Sequence, residues 1–296
     1  MTDEAQVTMT NPVLDPARYP VLPEALLQNA RLVPSRLAAL ALWPQDAVIA
    51  EIGVALGEFS GAILKACRPR RFLAIDRFDL HELPTLWNRP TAEIFGGKTH
   101  GEFYRARFAD EIARGQMSVL EGDSAAMIAG LPDASVDVFY VDADHRYEGV
   151  VRDLEAILPK IAPDGWIVMN DYIPAETGLS NEPYGVIQAT HEFMVKYGWE
   201  MGYFALAYVM YCDVGLRRAG RPITLPPYLD AMPAQLATEL EESGITHRRR
   251  SEDRAKIQAL EAHIAELEAA LTTMRRSTSW RATAPLRALS HLLSRR

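Results

Sequence analysis

The chain is poor in cysteine, has no long apolar run, and carries no overall excess of positive charge. Its 296 residues include two cysteines, Cys67 and Cys212. Neither has metal-ligand spacing and both sit among apolar residues, so the sequence predicts two reduced, buried thiols in a cytoplasmic protein. No apolar stretch approaches the ~18–20 residues a membrane-spanning helix needs. The opening Met1-Thr2-Asp3-Glu4-Ala5 is polar and acidic, unlike a secretory signal. A net charge of −8 gives no support for nucleic-acid binding by the chain as a whole. That charge is uneven. Residues 247–296 hold eleven Lys and Arg against five Asp and Glu, a net +6, which leaves −14 on the remainder. A basic tail on an acidic body predicts an anionic surface or partner for the tail. The motif Gly-x-Gly-x-x-Gly is also missing, which disfavours a dinucleotide ligand.

What is present is an ordinary globular composition, 48% hydrophobic and 24% charged, long enough for a sizeable core. Residues 1 to about 22 are punctuated by Pro12, Pro16 and Pro20 and predict an extended arm. Residues 23–43 read as one or two helices interrupted near Pro34, with Arg31 and Arg36 either facing a ligand or, the favoured reading, on solvated faces. Through residues 47–172 short apolar runs alternate with helical patterns, which predicts a parallel, doubly wound α/β sheet. The predicted strands are 47–52, 71–76, 117–120, 136–141 and 166–169. A turn is read at Pro163-Asp164-Gly165, helices at 103–114, 150–161 and 186–197, and two late strands at 199–206 and 208–216. Residues 79–104 and 173–184 read as irregular loops over the site.

In such sheets ligands bind outside the carboxyl ends of the strands, and that is where the polar residues of this chain concentrate. Gly53 and Gly57 follow the first strand and permit a tight turn close to a ligand, with Ser60 near enough to bond it. Asp76 ends the second strand, 25 residues after Glu51, where an acid suits the vicinal hydroxyls of a ribose. Asp123 and Ser124 end the third. Asp142, Asp144 and His145 end the fourth, and Asn170 and Asp171 end the fifth. The first three rims predict a pocket for an adenosine-type ligand, and the last two add carboxylates and an imidazole.

In this order, Glu51-x-Gly53-x-x-x-Gly57, Asp76, Gly122-Asp123-Ser124, Asp142-x-Asp144-His145-x-x-Tyr147 and Asn170-Asp171 resemble a class I S-adenosylmethionine-dependent methyltransferase over about residues 45–218. The nearer likeness is to metal-dependent sugar O-methyltransferases acting on macrolide and aminocoumarin sugars. Catechol-type O-methyltransferases are more distant. The resemblance implies a seven-stranded Rossmann-like sheet with an antiparallel edge. It assigns S-adenosyl-L-methionine to Glu51, Gly53, Gly57, Ser60, Asp76, Asp123, Ser124 and the Asp142 carboxylate. It assigns Mg²⁺ or another divalent cation to Asp142, Asn170 and Asp171, hard oxygen ligands suited to such an ion. Many relatives carry an acid where Asn170 stands, so the site charge is lower here. His145 is the favoured base, since an imidazole titrates near neutral pH. Asp144 is the second choice or an orienting group.

The C-terminal region reads as a linker with a short helix over 219–250 and a coiled coil over 251–276. Ile257, Leu260, Ile264, Leu267, Leu271 and Met274 are spaced by three and four. A basic amphipathic tail over 277–296 follows. Met274-x-x-Ser277-x-Ser279-Trp280-Arg281-x-Thr283-x-Pro285-Leu286-Arg287 resembles the ending of many bacterial surface-polysaccharide glycosyltransferases and associated proteins. Together these imply a sugar or glycoconjugate acceptor, a homo-oligomer through the coiled coil, and a cytoplasmic protein with peripheral contact to the inner face of the membrane. Two rival readings stand beside this one. One is a catechol- or polyketide-type O-methyltransferase using Trp87, Phe95, Tyr104 and Tyr184 as an apolar platform. The other is a non-catalytic scaffold of an envelope glycan complex.

Overall fold

A computed structural model describes residues 21–175, 183–206 and 212–220, and six helical positions between His263 and Arg276. In chain order the elements are β1 (Arg31–Val33), α1 (Arg36–Ala39), β2 (Val48–Ile52), α2 (Glu58–Cys67), β3 (Arg71–Asp76), β4 (Thr85–Leu86), β5 (Arg89–Pro90), α3 (Thr91–Phe95), α4 (His100–Arg107), α5 (Ala109–Ala113), β6 (Met117–Glu121), α6 (Ser124–Ala129), β7 (Val136–Val141), α7 (Tyr147–Ile157), β8 (Ile161–Met169), α8 (Val186–Tyr197), β9 (Trp199–Ala205) and β10 (Asp213–Arg218). Eight strands form one sheet in the order β1-β9-β10-β8-β7-β2-β3-β6. β10 runs antiparallel to both its neighbours and the other pairings are parallel. The doubly wound α/β class read from the sequence is the one observed.

Alternation along the strands divides the core in two. Ile49, Phe72, Val138, Tyr140, Val168 and Tyr203 pack on one face with Phe59, Ile63 and Cys67 of α2 and Tyr104 of α4. Ile52, Ile75, Phe139, Val141, Ile167 and Met169 pack on the other with Leu154 and Ile157 of α7 and Phe193 of α8. A sheet covered on both faces requires the near-continuous apolar runs seen in β3 and β7.

Four details differ from the sequence reading. The sheet has eight strands, because Arg31–Val33 pairs with Tyr203–Ala205 and covers β9. Three residues, of which Leu32 is 64% exposed, leave no period to detect. The expected turn at Pro163-Asp164-Gly165 lies inside β8, which begins at Ile161 opposite Val136 and absorbs the mismatch as a register shift. The expected helix at 103–114 is two helices, broken at Phe108. Residues 79–104 are folded rather than irregular: a β4–β5 hairpin, α3 and the start of α4, whose Thr99 and Glu102 form a capping box. The N-terminal arm, the strand end at 207–211, the linker, nearly all of the coiled coil, and the tail lie outside the described residues.

The sheet's strand order reverses between β2 and β7, and there the backbones touch. Gly53 has φ +81°, and a Cβ on it would sit 1.9 Å from the Asp142 carbonyl oxygen. Gly53→Ala therefore faces both a left-handed backbone and a hard overlap. It should destabilise the protein by about 2 kcal/mol or more, read as a lower midpoint in thermal unfolding followed by circular dichroism.

Candidate active site

The strand ends around that contact enclose a cavity of about 820 Å³. Its wall includes Gly53, Asp76, Asp123, Ser124, Asp142 and Asp144, with Leu80, Leu86 and Trp87 at the hairpin side. Six expected site residues from four rims thus share one space, within the size range of small-molecule pockets.

Asp76 is fixed by its own backbone neighbourhood: Oδ2 accepts the Val54 N–H at 2.8 Å and Oδ1 that of Phe78 at 2.7 Å. Asp123 caps α6 by accepting the Ala126 N–H at 3.1 Å. Ser124 instead donates to Asp153 at 2.6 Å.

Three expected cofactor residues lie behind the wall. Ser60 donates to Glu51, and Tyr104 donates to Ser60 at 2.9 Å; all three are buried. Ser60 sits on the inward stripe of α2 with Ile63 and Cys67, so its hydroxyl serves the core. Burial pushes the Glu51 carboxyl well above its usual range. Gly57, at φ +84°, opens α2, and a Cβ there would press on Phe108 at 2.6 Å. These residues act through the shape of the loop. Two side chains with no sequence signal hold the same loop: His100 Nε2 donates to the Ala55 carbonyl at 2.5 Å, and Arg107 donates to Leu56 at 2.6 Å.

At the β7 and β8 ends, one potential ligand atom each from Asp142, His145 and Asp171 lie within 4.8 Å of one another. His145 Nε2 is 3.1 Å from Asp171 Oδ2 and 3.6 Å from Asp142 Oδ1, and its ring stacks on Tyr184 at 4.5 Å and 12°. Burial opposes its cation, but the facing carboxylates of Asp142 and Asp171 outweigh burial and push the imidazole up to about 10. Asp171 adopts φ +51°, an uncommon conformation for a non-glycine residue. Asn170 is 4% exposed, and among the described residues neither its Oδ1 nor Asp171 Oδ1 has a hydrogen-bond partner. Buried oxygens left unpaired cost roughly 1–3 kcal/mol each. Their donor set, two carboxylates with an adjoining amide oxygen and an imidazole, fits a divalent cation. Asp144 is turned away from this group. It accepts from the Arg146 guanidinium at 2.6 Å and the Arg146 N–H at 3.0 Å, bonds that hold its carboxyl below the usual range. It is the weaker base of the two candidates.

The sequence reading placed Arg36 on a solvated face. Its guanidinium is half-buried, 4.7 Å over the Phe59 ring, and donates to Tyr140 at 3.3 Å; Tyr140 donates to the buried Asp213 at 3.2 Å. Of the aromatic platform, Phe95 and Tyr104 are buried in the core, while Trp87 is 55% exposed and lines the cavity.

Residues 50–172 match a methyltransferase-domain family. The match runs from β2 to just beyond β8 and includes every rim described above. Solved structures similar to this chain include the pyocyanin biosynthetic protein PhzM, at 14% identity and TM-score 0.41 over 62% of this chain and 54% of that one. The mitomycin 7-O-methyltransferase MmcR is 18% identical, TM-score 0.42, over 62% and 53%. A SAM-dependent methyltransferase from Aquifex aeolicus is 13% identical, TM-score 0.41, over 61% and 86%. The chain spans about half the length of the first two. No curated protein matches it.

Two predictions follow from the rim. Burial pushes the Asp213 carboxyl up to about 8. Its folded pKa lies above its unfolded one, so its charge costs stability as pH rises from about 4, and this cost grows until about 8. Asp213→Asn should become more stable relative to the parent between pH 5 and pH 8, measured by urea unfolding at each pH. Asp171→Ala should weaken Mn²⁺ binding at least ~10-fold by calorimetry while S-adenosylhomocysteine affinity stays within about twofold.

Proposed function

We propose that this protein transfers a methyl group from S-adenosylmethionine to a sugar hydroxyl, with a divalent cation, in bacterial polysaccharide or glycoconjugate synthesis. One observation carries the reading: a histidine held between two rim carboxylates, one of which, Asp142, lines the cavity that Asp76 and Asp123 also line. Bound S-adenosylmethionine supplies an electrophilic methyl on a cationic sulfur. A cation held by Asp142 and Asp171, with Asn170 alongside, supplies the charge that acidifies a hydroxyl.

The chain's own groups do the rest. Asp76, its carboxylate fixed by two backbone N–H groups, takes the ribose hydroxyls. The Gly53 turn lets the ligand approach the backbone. Without a cation, Asp142 and Asp171 keep His145 protonated; with their charge committed to a cation, Nε2 would be neutral and able to take the acceptor proton. Tyr184 holds the ring plane. Because the sulfonium charge disappears in the transition state, placing both reactants in line contributes more than added charge.

The helices α7 and α8 and the turn after β8 carry polar side chains. Tyr147 donates to Glu192 at 2.5 Å, Gln188 donates to Glu192 at 3.1 Å, and Tyr172 bonds His191. Hydroxyls, amide and carboxylate suit a polyhydroxylated acceptor. Burial of Phe95 and Tyr104 removes half of the platform a phenolic acceptor would use. The tail resemblance supports a place in envelope glycan synthesis, with the coiled coil joining copies and the basic tail resting on the inner membrane surface. No helix among the described residues is long and apolar enough to cross a membrane.

The test offers labelled S-adenosylmethionine with nucleotide sugars, envelope glycans and catechols, and follows methyl transfer by mass spectrometry. Transfer to a sugar that stops with EDTA is expected. His145→Ala should lower turnover at least ~100-fold and leave S-adenosylhomocysteine binding in place. Faster transfer to catechols than to any sugar, or full activity in EDTA, would sink the reading.

A further inference from the structure

The order of the rims fixes which end of the cavity holds which part of a nucleoside. This inference rests on the S-adenosylmethionine reading above. Asp142, on the β7 side and 3.6 Å from His145 Nε2, marks the transfer end. Asp76 ends β3, and β6 lies one strand further out, with the Gly122 N–H donating to the Asp76 carbonyl at 2.9 Å. A ribose on Asp76 therefore directs its base outward, against Asp123 and Ser124.

Asp123 is committed on both oxygens. Oδ1 caps Ala126, and Oδ2 pairs with Arg152 at 3.0 Å. Ser124 is committed differently. It lines the cavity, yet its hydroxyl donates to Oδ1 of Asp153 at 2.6 Å. Asp153, on α7, is 0% exposed and is not part of the cavity wall. Its Oδ2 has no hydrogen-bond partner among the described residues. A serine hydroxyl has one proton and two lone pairs. With the proton drawn inward to Asp153, the oxygen turns only lone pairs to the cavity.

We propose that Asp153 is a positioning residue that makes Ser124 an acceptor only, so that the cavity selects a base with an exocyclic amino group over one with a carbonyl at the same place. An amino group donates into the lone pair. A carbonyl oxygen meets it acceptor to acceptor and stays unpaired, the arrangement by which a polar pocket rejects an analogue. The Asp153 side chain needs no contact with the ligand; it acts by fixing one rotor.

Calorimetry with S-adenosylhomocysteine and S-inosylhomocysteine, which differ only in oxygen for the amino group and the ring proton that goes with it, tests this. The unaltered protein should prefer the adenosyl ligand by about 10-fold or more. Asp153→Ala frees the hydroxyl to turn and donate. It should cut that preference by at least about threefold while adenosyl affinity changes by less than about twofold. Loose packing at residue 153 weakens both ligands together and leaves their ratio alone, so the ratio reports the hydroxyl. Ser124→Ala removes the acceptor and should cut the preference as well. Equal binding of the two ligands by the unaltered protein, or an unchanged ratio in Asp153→Ala, overturns the proposal. Should Asp153→Ala fail to fold, an unchanged ratio in Ser124→Ala overturns it. Absence of S-adenosylhomocysteine binding to the unaltered protein refutes the function proposed above, and this inference with it.

Discussion

The close approach of Gly53 to the Asp142 carbonyl is the contact on which the site depends. It marks the reversal of strand order, where helices leave the sheet on opposite faces and a crevice must open. The Asp142 N–H donates to the Ile52 carbonyl at 2.8 Å, so the two strands stay paired to their last residues. A side chain at position 53 would part them. The glycine thus sets the distance between the β2, β3 and β6 rims, which suit a nucleoside, and the β7 and β8 rims, which carry the acid–base groups.

The second constraint is charge. Asp142, Asp171 and Asp213 crowd the same end of the sheet, answered by His145 and Arg36. Burying several carboxylates together is unfavourable unless cations balance them. Asp171 holds a left-handed backbone as well, and Asn170 contributes an unpaired oxygen. Strain and unmet polarity meet at this strand end, as expected of a site built to bind. The Arg36–Tyr140–Asp213 chain shows that this balance draws on residues before and after the stretch matched by the methyltransferase-domain family.

Position along the chain was legible in the sequence, and direction off it less so. The period-two and apolar signals located β3 and β7 to the residue, and helical spacing located α8. Strand ends then named the rims, and six of the named residues meet in one cavity. Side-chain direction misled at Ser60, which follows the glycine turn but points along the buried stripe of α2. Asp144 looked equivalent to His145, and the neighbouring Arg146 takes it out of reach. Arg36, His100 and Asp153 left no local signal, because each acts through a partner 29 to 104 residues away. β1 is too short for any period, and Pro163-Asp164-Gly165 carries turn chemistry that sheet pairing overrides.

The place of β1 has a consequence for the order of assembly. Its partner, β9, lies some 170 residues later, and Arg36 reaches Asp213 only through Tyr140. Such long-range pairings form late and slow the search for the native state. During synthesis, residues 31–33 emerge well before their partners at 203–205. Until β9 and β10 arrive, the acid–base end lacks the strand that pairs with β8 and carries Asp213.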